Sequence, residues 1–457
     1  MKPLPLLLLS LLPLAGLAQR PTARPRQLAR PGSVAAAPPL SLQQAIAEAL
    51  QHNYGIQLAR QDEQVATNNV TRGNAGQLPS LTGNLTRTFT NNNINQRFGG
   101  NDPRVINSAT SNFFNSNLTL GWTLFDGLGM FIAYDRLRTL RQQQQQVTRA
   151  TVEETVENVT NTYYDVVRQA GKISSLEETL KIGQTRLDLT QAQVEVGVSA
   201  KVEVLTARVD YNADRSLLLQ QQQALTAAKI TLNNLLGHLP HLDFEPSDSL
   251  AVTRDLREET ITAGIKAQNP RLAQARLGTD VATYNRRLVR ASRFPQVGLV
   301  SVYGLSRNVN NAAFAGTVLT TSSNQLRGLN YGLTASVPIF DGFNLRRQEQ
   351  NARVAEEQSQ LTLAQTSLQL DADAATAFAQ YQNFIQLLDL EEANIQLARQ
   401  NVDIALARYR LGLLTPLALR EAQRNRLNAE TRLLDIRYVA KQAETALRRL
   451  SGSLVRE

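Results

Sequence analysis

Internal duplication is the feature that most constrains this chain. Val65-Ala66-Thr67 with Asn69 returns as Val281-Ala282-Thr283 with Asn285, and Pro79, which closes a helical stretch, returns as Pro295. Phe125-Asp126-Gly127 returns as Phe340-Asp341-Gly342, and Gly197 in a Val-x-x-Gly turn returns as Gly412 in Tyr-x-x-Gly. The offset is 216 before the loop that precedes the Phe-Asp-Gly triplets and 215 after it, so one residue has been lost between. Four matches in order at a near-constant offset specify two copies of one plan. The first copy is expected over 40–247 and the second over 248–453.

Each copy reads as a helix, a strand pair and a long helical hairpin. Leu42, Ala45, Ile46, Ala49 and Leu50 follow helical spacing behind a Ser41 cap. No proline occurs between Pro103 and Pro240 or between Pro338 and Pro416, and positions 343 to 411 lack glycine as well. An unbroken helix of that length reaches about 100 Å at ~1.5 Å per residue. Val152, Val159, Val166, Ile173, Leu180, Leu187 and Val194 form a seven-residue series, answered by Tyr381, Leu388, Ile395, Val402 and Tyr409. Sustained heptads imply left-handed coiled-coil packing. The glutamines at 142–146 read as a solvated helix face.

The strand pairs are expected over 80–125 and 296–340. From Leu329 to Ile339 the odd positions are apolar and the even ones small or polar, Pro338 apart; Leu118, Leu120, Trp122 and Leu124 alternate in the same phase. About ten residues of such alternation suits a membrane barrel strand, although a soluble sheet packed on one face alternates too. The partner strands, 81–89 and 297–305, are interrupted by Arg87 and Ser301. The Asn-, Gly-, Ser- and Thr-rich stretches 91–112 and 307–328 are expected to be long outer loops. Four strands cannot close a barrel, since the smallest have about eight. The chain must therefore pool strands with copies of itself, as two chains or three.

Composition narrows the function. Lys2 followed by the leucines at 6–9, 11 and 12 and by Gly16-x-Ala18 reads as a signal peptide over 1–18. Residues 19–39, rich in Pro and Arg, read as a disordered leader. Nothing later is apolar for long enough to be a membrane helix, so a membrane crossing requires a closed β-barrel. The net charge of +9 has five of its charges in residues 1–39 (Lys2, Arg20, Arg24, Arg26, Arg30), which leaves an ordinary surface and no nucleic-acid footprint. With no cysteine there are no disulfides, thiolate metal sites or thiol nucleophiles. His238-Leu239-Pro240-His241 is a poor metal site, two ligands broken by proline, and no phosphate loop or nucleophile motif is present. The sequence thus points to a non-enzyme without cofactor or metal, whose energy comes from a partner.

Leu40-Ser41-Leu42-Gln43-Gln44-Ala45-Ile46 through Asn53, the Leu78-Pro79-Ser80-Leu81 junction, both Phe-Asp-Gly triplets and Tyr409-Arg410-Leu411-Gly412-Leu413-Leu414-Thr415-Pro416 together resemble the TolC-type outer-membrane efflux protein family. The resemblance implies a mixed α/β membrane protein of a Gram-negative outer membrane. It would be a homotrimer sharing a twelve-stranded outer-membrane β-barrel, four strands from each chain, continued by a long periplasmic α-helical coiled-coil barrel. It also implies two partners, a periplasmic adaptor and an inner-membrane pump. On this resemblance Val196, Gly197, Val198 and Ser199, with Leu411, Gly412, Leu413, Leu414 and Thr415, fall at the tip that meets the adaptor. Glu203 and its partner Tyr409, with Glu421, fall at the periplasmic gate. Two departures stand out: Ala418 replaces the second acidic position, and Leu414 replaces a basic residue, so the family's salt-bridge latch is expected to be lost. A periplasmic coiled-coil scaffold or adaptor without a pore is the competing reading; it explains the heptads and glycine turns but gives the strands no role.

Overall fold

The computed structural model describes residues 38–97, 104–315 and 318–455. The expected signal peptide and almost all of the expected leader fall outside this range. Pro39 is not leader: Pro39–Leu40 forms strand β1, which pairs in parallel with β4 (Glu245–Pro246). The other elements are α1 (Leu42–His52), α2 (Tyr54–Asn69), β2 (Ser80–Gln96), β3 (Arg104–Phe125), α3 (Gly129–Glu195) and α4 (Lys201–Leu236), then α5 (Glu258–Gln268), α6 (Pro270–Ala291), β5 (Gln296–Ala315), β6 (Val318–Ser336), α7 (Asn344–Arg410) and α8 (Pro416–Leu450).

Helices α3 and α7 are each 67 residues long, about 100 Å of unbroken helix. Of the heptad residues, Tyr381, Leu388, Ile395, Val402 and Tyr409 are buried, as are Val159, Val166 and Leu187; the rest of the first series is half-buried. Helix α1 starts on a capping box, with the Ser41 side chain accepting from the Gln44 backbone N–H and the Gln44 side chain from that of Ser41.

A repeated clip ties the short helices to the ends of the long hairpins. Asn53 Nδ2 donates to Leu235 O at 2.8 Å while its Oδ1 caps α2 at Ile56 N–H. Asn269, 216 residues on, donates to Leu450 O at 2.9 Å and caps α6. In each clip a glycine lies against the preceding helix end. At Gly237 (φ +74) and Gly452 (φ +69) a Cβ would lie 2.7 Å from His52 O and 2.8 Å from Gln268 O. One side chain thus serves a helix end and a helix start that would otherwise leave polar groups unpaired. Nearby, the buried Tyr163 hydroxyl joins Leu40 O (2.8 Å) to Asp248 (3.0 Å), and desolvation pushes its pKa up to about 12.

The four long strands form one antiparallel sheet in the order β2-β3-β5-β6. Its register gathers most of the apolar positions on one face, with Val300 and Val302 of β5 on the other. Leu81 pairs with Leu120, Leu118 with Tyr303 and Tyr303 with Leu329, and Trp122 with Leu299 and Leu299 with Leu333. The opposite face carries Asn84, Asn117, Thr119, Gly304, Gly332 and Thr334, with Asn84 Nδ2 donating to Asn117 Oδ1 at 3.0 Å.

The expected outer loops are a correction. Strands of 17, 22, 20 and 19 residues run through most of 91–112 and 307–328, with pairs such as Asn91↔Thr110 and Asn308↔Asn324. These stretches lack the apolar alternation that marks a strand in sequence. A ladder needs only backbone pairing, and the register set in the apolar half carries it onward. Among the described residues no helix is long and apolar enough to cross a membrane.

Candidate functional site

The two helical hairpins turn through the same backbone motif. In the first, Gly197 N–H bonds Val194 O at 3.0 Å and Val198 N–H bonds Gln193 O at 2.9 Å; in the second, Gly412 N–H bonds Tyr409 O at 3.0 Å and Leu413 N–H bonds Arg408 O at 2.9 Å. This is the Schellman closure of a helix, in which the glycine takes the left-handed conformation. Gly197 (φ +81) and Gly412 (φ +70) have open space where a Cβ would stand, so backbone conformation rather than crowding calls for glycine at both. Val196 and Leu411 are the C-caps. Val196, Val198, Leu411 and Leu413 are exposed, whereas Ser199 and Leu414 are half-buried, Leu414 against the cluster that holds Tyr409.

The following helices start differently. Thr415 caps α8 by accepting from Ala418 N–H at 3.3 Å, with Pro416 in the first turn, while Ala200 gives α4 no side-chain cap.

Tyr409 is buried on the second hairpin and reaches the first. Its hydroxyl lies 2.6 Å from Thr190 Oγ1, and because that oxygen donates to Arg186 O at 2.8 Å, Tyr409 is the donor. The bond therefore goes to Thr190, and no described contact joins Tyr409 to Glu203. Val402, Ala405, Leu419 and Ala422 pack around Tyr409, with Ile182 and Leu189 of α3 beside them. Glu203 is half-buried in the first turn of α4 and Glu421 is exposed on α8.

A cluster of ion pairs joins the two hairpins, built from residues the sequence reading did not single out. Arg420 of α8 grips the buried Asp214 of α4 with two bonds of 2.5 and 2.8 Å and stands 3.7 Å from Asp210. Arg186 of α3 holds Asp210 at 2.5 Å. The Asp214 hydrogen bonds raise the Arg420 pKa against the opposing pull of burial. Above this, Glu178–Arg426, Arg168–Asp435 (3.1 Å), Lys172–Asp435 (2.7 Å) and Glu157–Arg449 (2.5 Å) fasten α3 to α8 like rungs. The family's salt bridge is expected to be lost at Leu414 and Ala418; Arg420 and Asp214 join the two hairpins at a different place. No single-residue signal marks this, since the partners lie 206 positions apart.

Two apolar faces have no partner among the described residues. On α7, Val354, Leu361 and Leu368 are exposed at seven-residue intervals, and Leu390, Leu397 and Ile404, continued by the C-cap Leu411, form a second such series opposite the buried heptad. On α4, Val202, Leu205 and Val209 are exposed at helical spacing. The strand-to-helix corners also differ. A Cβ on Gly127 would meet Ala291 O at 2.5 Å and Phe294 Cβ at 2.7 Å, whereas Gly342 has nothing within 4 Å. His238 Nε2 lies 3.4 Å from Glu48, and no group of side chains suited to a metal is found among the described residues.

The family model described as outer membrane efflux protein matches the chain twice, over residues 45–238 and 264–453. Similar proteins include CyaE of Bordetella pertussis, 22% identical over 57% of this chain and 54% of its own length. The probable efflux pump outer membrane protein TtgC of Pseudomonas putida is 23% identical over 70% of this chain and 66% of its own length. The matched region thus spans between half and two thirds of these relatives. Among solved structures, the outer membrane protein VceC from Vibrio cholerae superposes with a TM-score of 0.70 at 20% identity, over 90% of this chain and 96% of that one.

Proposed function

The chain belongs to the outer membrane efflux protein family, and from that membership we propose that it is the outer-membrane channel of a tripartite efflux or type I secretion system. It conducts substrate passively from a periplasmic adaptor and inner-membrane pump to the exterior. The observation that carries this reading is the sheet. One face carries a leucine- and aromatic-rich band that crosses all four strands, the other is mostly Asn, Thr and Gly with Val300 and Val302 among them, and β2 and β6 are left as open edges. An apolar face of that kind has no counterpart among the described residues to pack against, and lipid is the surface that fits it.

The duplication says how copies meet. Gly127 is pressed by Ala291 and Phe294 of the second half; the same step applied once more places Ala75 and Leu78 of a neighbouring chain against Gly342. The exposed stripe of α7 is then covered by a neighbour's α2 and α4, and a homotrimer closes the ring with twelve strands. At the tip, Tyr409 and the Arg420–Asp214 pair hold the second hairpin against the first, while Glu203 and Glu421 line the entrance. Val196 to Ser199 and Leu411 to Thr415 meet the adaptor.

Single-channel recording from purified trimer in planar bilayers tests the reading. Discrete conductance is expected, larger in Arg420→Ala; a folded trimer that never conducts, or protein recovered in the soluble periplasm, overturns it. Because the chain lacks cysteine, Leu413→Cys gives a single attachment point from which an adaptor should be crosslinked.

A further inference from the structure

The register that builds the apolar face also brings distant arginines together. Arg87 pairs with Phe114, Phe114 with Arg307, and Arg307 with Gln325; one step below, Leu305 pairs with Arg327. All these side chains lie on the face that carries Leu85, Leu118, Tyr303 and Leu329, which on the channel reading is the lipid face. A depression of about 340 Å³ lies between the first two arginines, lined by Arg87, Asn112, Phe114, Arg307 and Val309.

The charge there is uncompensated. The four long strands contain no Asp or Glu, and none of the three arginines has a carboxylate partner among the described residues. Arg87 is held in place by neutral groups: its Nε donates to Asn112 Oδ1 at 3.4 Å, and its guanidinium carbon stands 4.7 Å from the centre of the Phe89 ring. Both contacts leave its terminal N–H groups free for a ligand.

The height of the row identifies the ligand. Ten positions along β5 separate Val297, at the helix end of the band, from Arg307. At ~3.4 Å per residue and a tilt of ~40°, that is about 26 Å, close to the ~25 Å of a barrel's lipid-facing band. The arginines therefore sit where hydrocarbon gives way to headgroups on the side away from the helices. Below them Leu85, Tyr303 and Leu305 suit acyl chains. Directly above them Phe89 and Val309 share the face with Asn112 and Ser323, and beyond that row it carries Asn91 and Thr110. Two guanidiniums two strands apart, about 10 Å, match phosphate in charge and in forked geometry.

We propose that Arg87, Arg307 and Arg327 form, on each chain, a binding site for the phosphorylated headgroup of an outer-leaflet glycolipid. The site rests on the outer-membrane reading, and its occupant joins apolar chains, phosphate and sugar in the order in which the face presents their partners.

Native mass spectrometry of the intact trimer in detergent, with a purified diphosphoryl glycolipid (lipid A) as probe, tests this. The wild type is expected to retain the glycolipid, and its dephosphorylated form and phosphatidylethanolamine far less. The combined Arg87→Gln, Arg307→Gln, Arg327→Gln variant should lose affinity by on the order of a hundredfold, from roughly fivefold for each arginine. Equal retention by variant and wild type, or no preference for the phosphorylated form, overturns the proposal. Displacement of the glycolipid by equimolar inorganic phosphate would assign a free-anion site and overturn the lipid assignment. Should the triple variant not assemble, the three single variants are read instead, and three unchanged affinities overturn the site. Conductance in glycolipid-free bilayers separates the two readings. A conducting trimer indifferent to glycolipid loses only the headgroup site, and a non-conducting trimer loses the channel.

Discussion

The two hairpin turns share a backbone and differ in almost everything attached to it. Both close through the same pair of hydrogen bonds around a left-handed glycine. Around the second, Thr415 and Pro416 start the return helix, and Tyr409 and Arg420 reach across to Thr190 and Asp214 of the first hairpin. The first turn has Ala200 without a cap and exposes Val196, Val198, Val202, Leu205 and Val209. Duplication kept the motif that makes a turn and let its attachments diverge. The return helix of the first exposes an apolar face, and the second extends Tyr409 and Arg420 into the contacts that must part if the tube opens there. On the proposed function, the second hairpin does most of the gating.

The strongest way to break this comparison is Arg420→Ala, which leaves Asp214 buried and unpaired. A loss of about 3 kcal/mol is expected, read from denaturant unfolding, together with a severalfold rise in single-channel conductance. Arg186→Ala removes a pair internal to the first hairpin and should destabilise while leaving conductance near wild type; matching conductance from the two variants would end the claim of asymmetry. Next come Gly197→Ala and Gly412→Ala. Each should cost about 1–2 kcal/mol by forcing a Cβ into positive φ, equally in stability because neither site is crowded, but with the larger conductance change at Gly412. Equal conductance changes would refute unequal gating. Tyr409→Phe deletes one buried donor, for about 1 kcal/mol, and should raise channel opening modestly. The smallest effect belongs to the caps: Thr415→Ala should lower stability by up to ~1 kcal/mol, and Ala200→Thr should raise it by a few tenths, both measurable as shifts in unfolding midpoint.

Much of the architecture was legible because it rests on local and periodic signals. The Ser41–Gln44 capping box, the breaker-free runs behind two 67-residue helices and the glycine turns are all decided within a few residues of themselves. The strand extensions were not legible, because Asn-rich segments look like loops until their partners are known. Asn269 could have been found by carrying Asn53 forward 216 positions, since the two amides do the same work. Arg420 and Asp214 could not: among the many charged residues on long helices, only the fold, which brings α8 within side-chain reach of α4, selects that pair. Arg87 read as a flaw in an apolar face, and its meaning emerges only when the register sets Arg307 beside it.

The strands outrun their apolar band, and this changes what the exit of such a channel is. From Arg87 to the end of β2 at Gln96 is nine further positions, about 23 Å of height at ~3.4 Å per residue and ~40° tilt. On the channel reading the mouth opens well above the lipid surface, at the top of a hydrogen-bonded collar. Solute leaving such a mouth begins its diffusion clear of the headgroup and sugar layer. A hydrophobic cargo that would otherwise partition straight back into the nearest leaflet is diluted into bulk water first. The collar thus opposes re-entry by distance alone, with no valve and no expenditure of energy at the outer face.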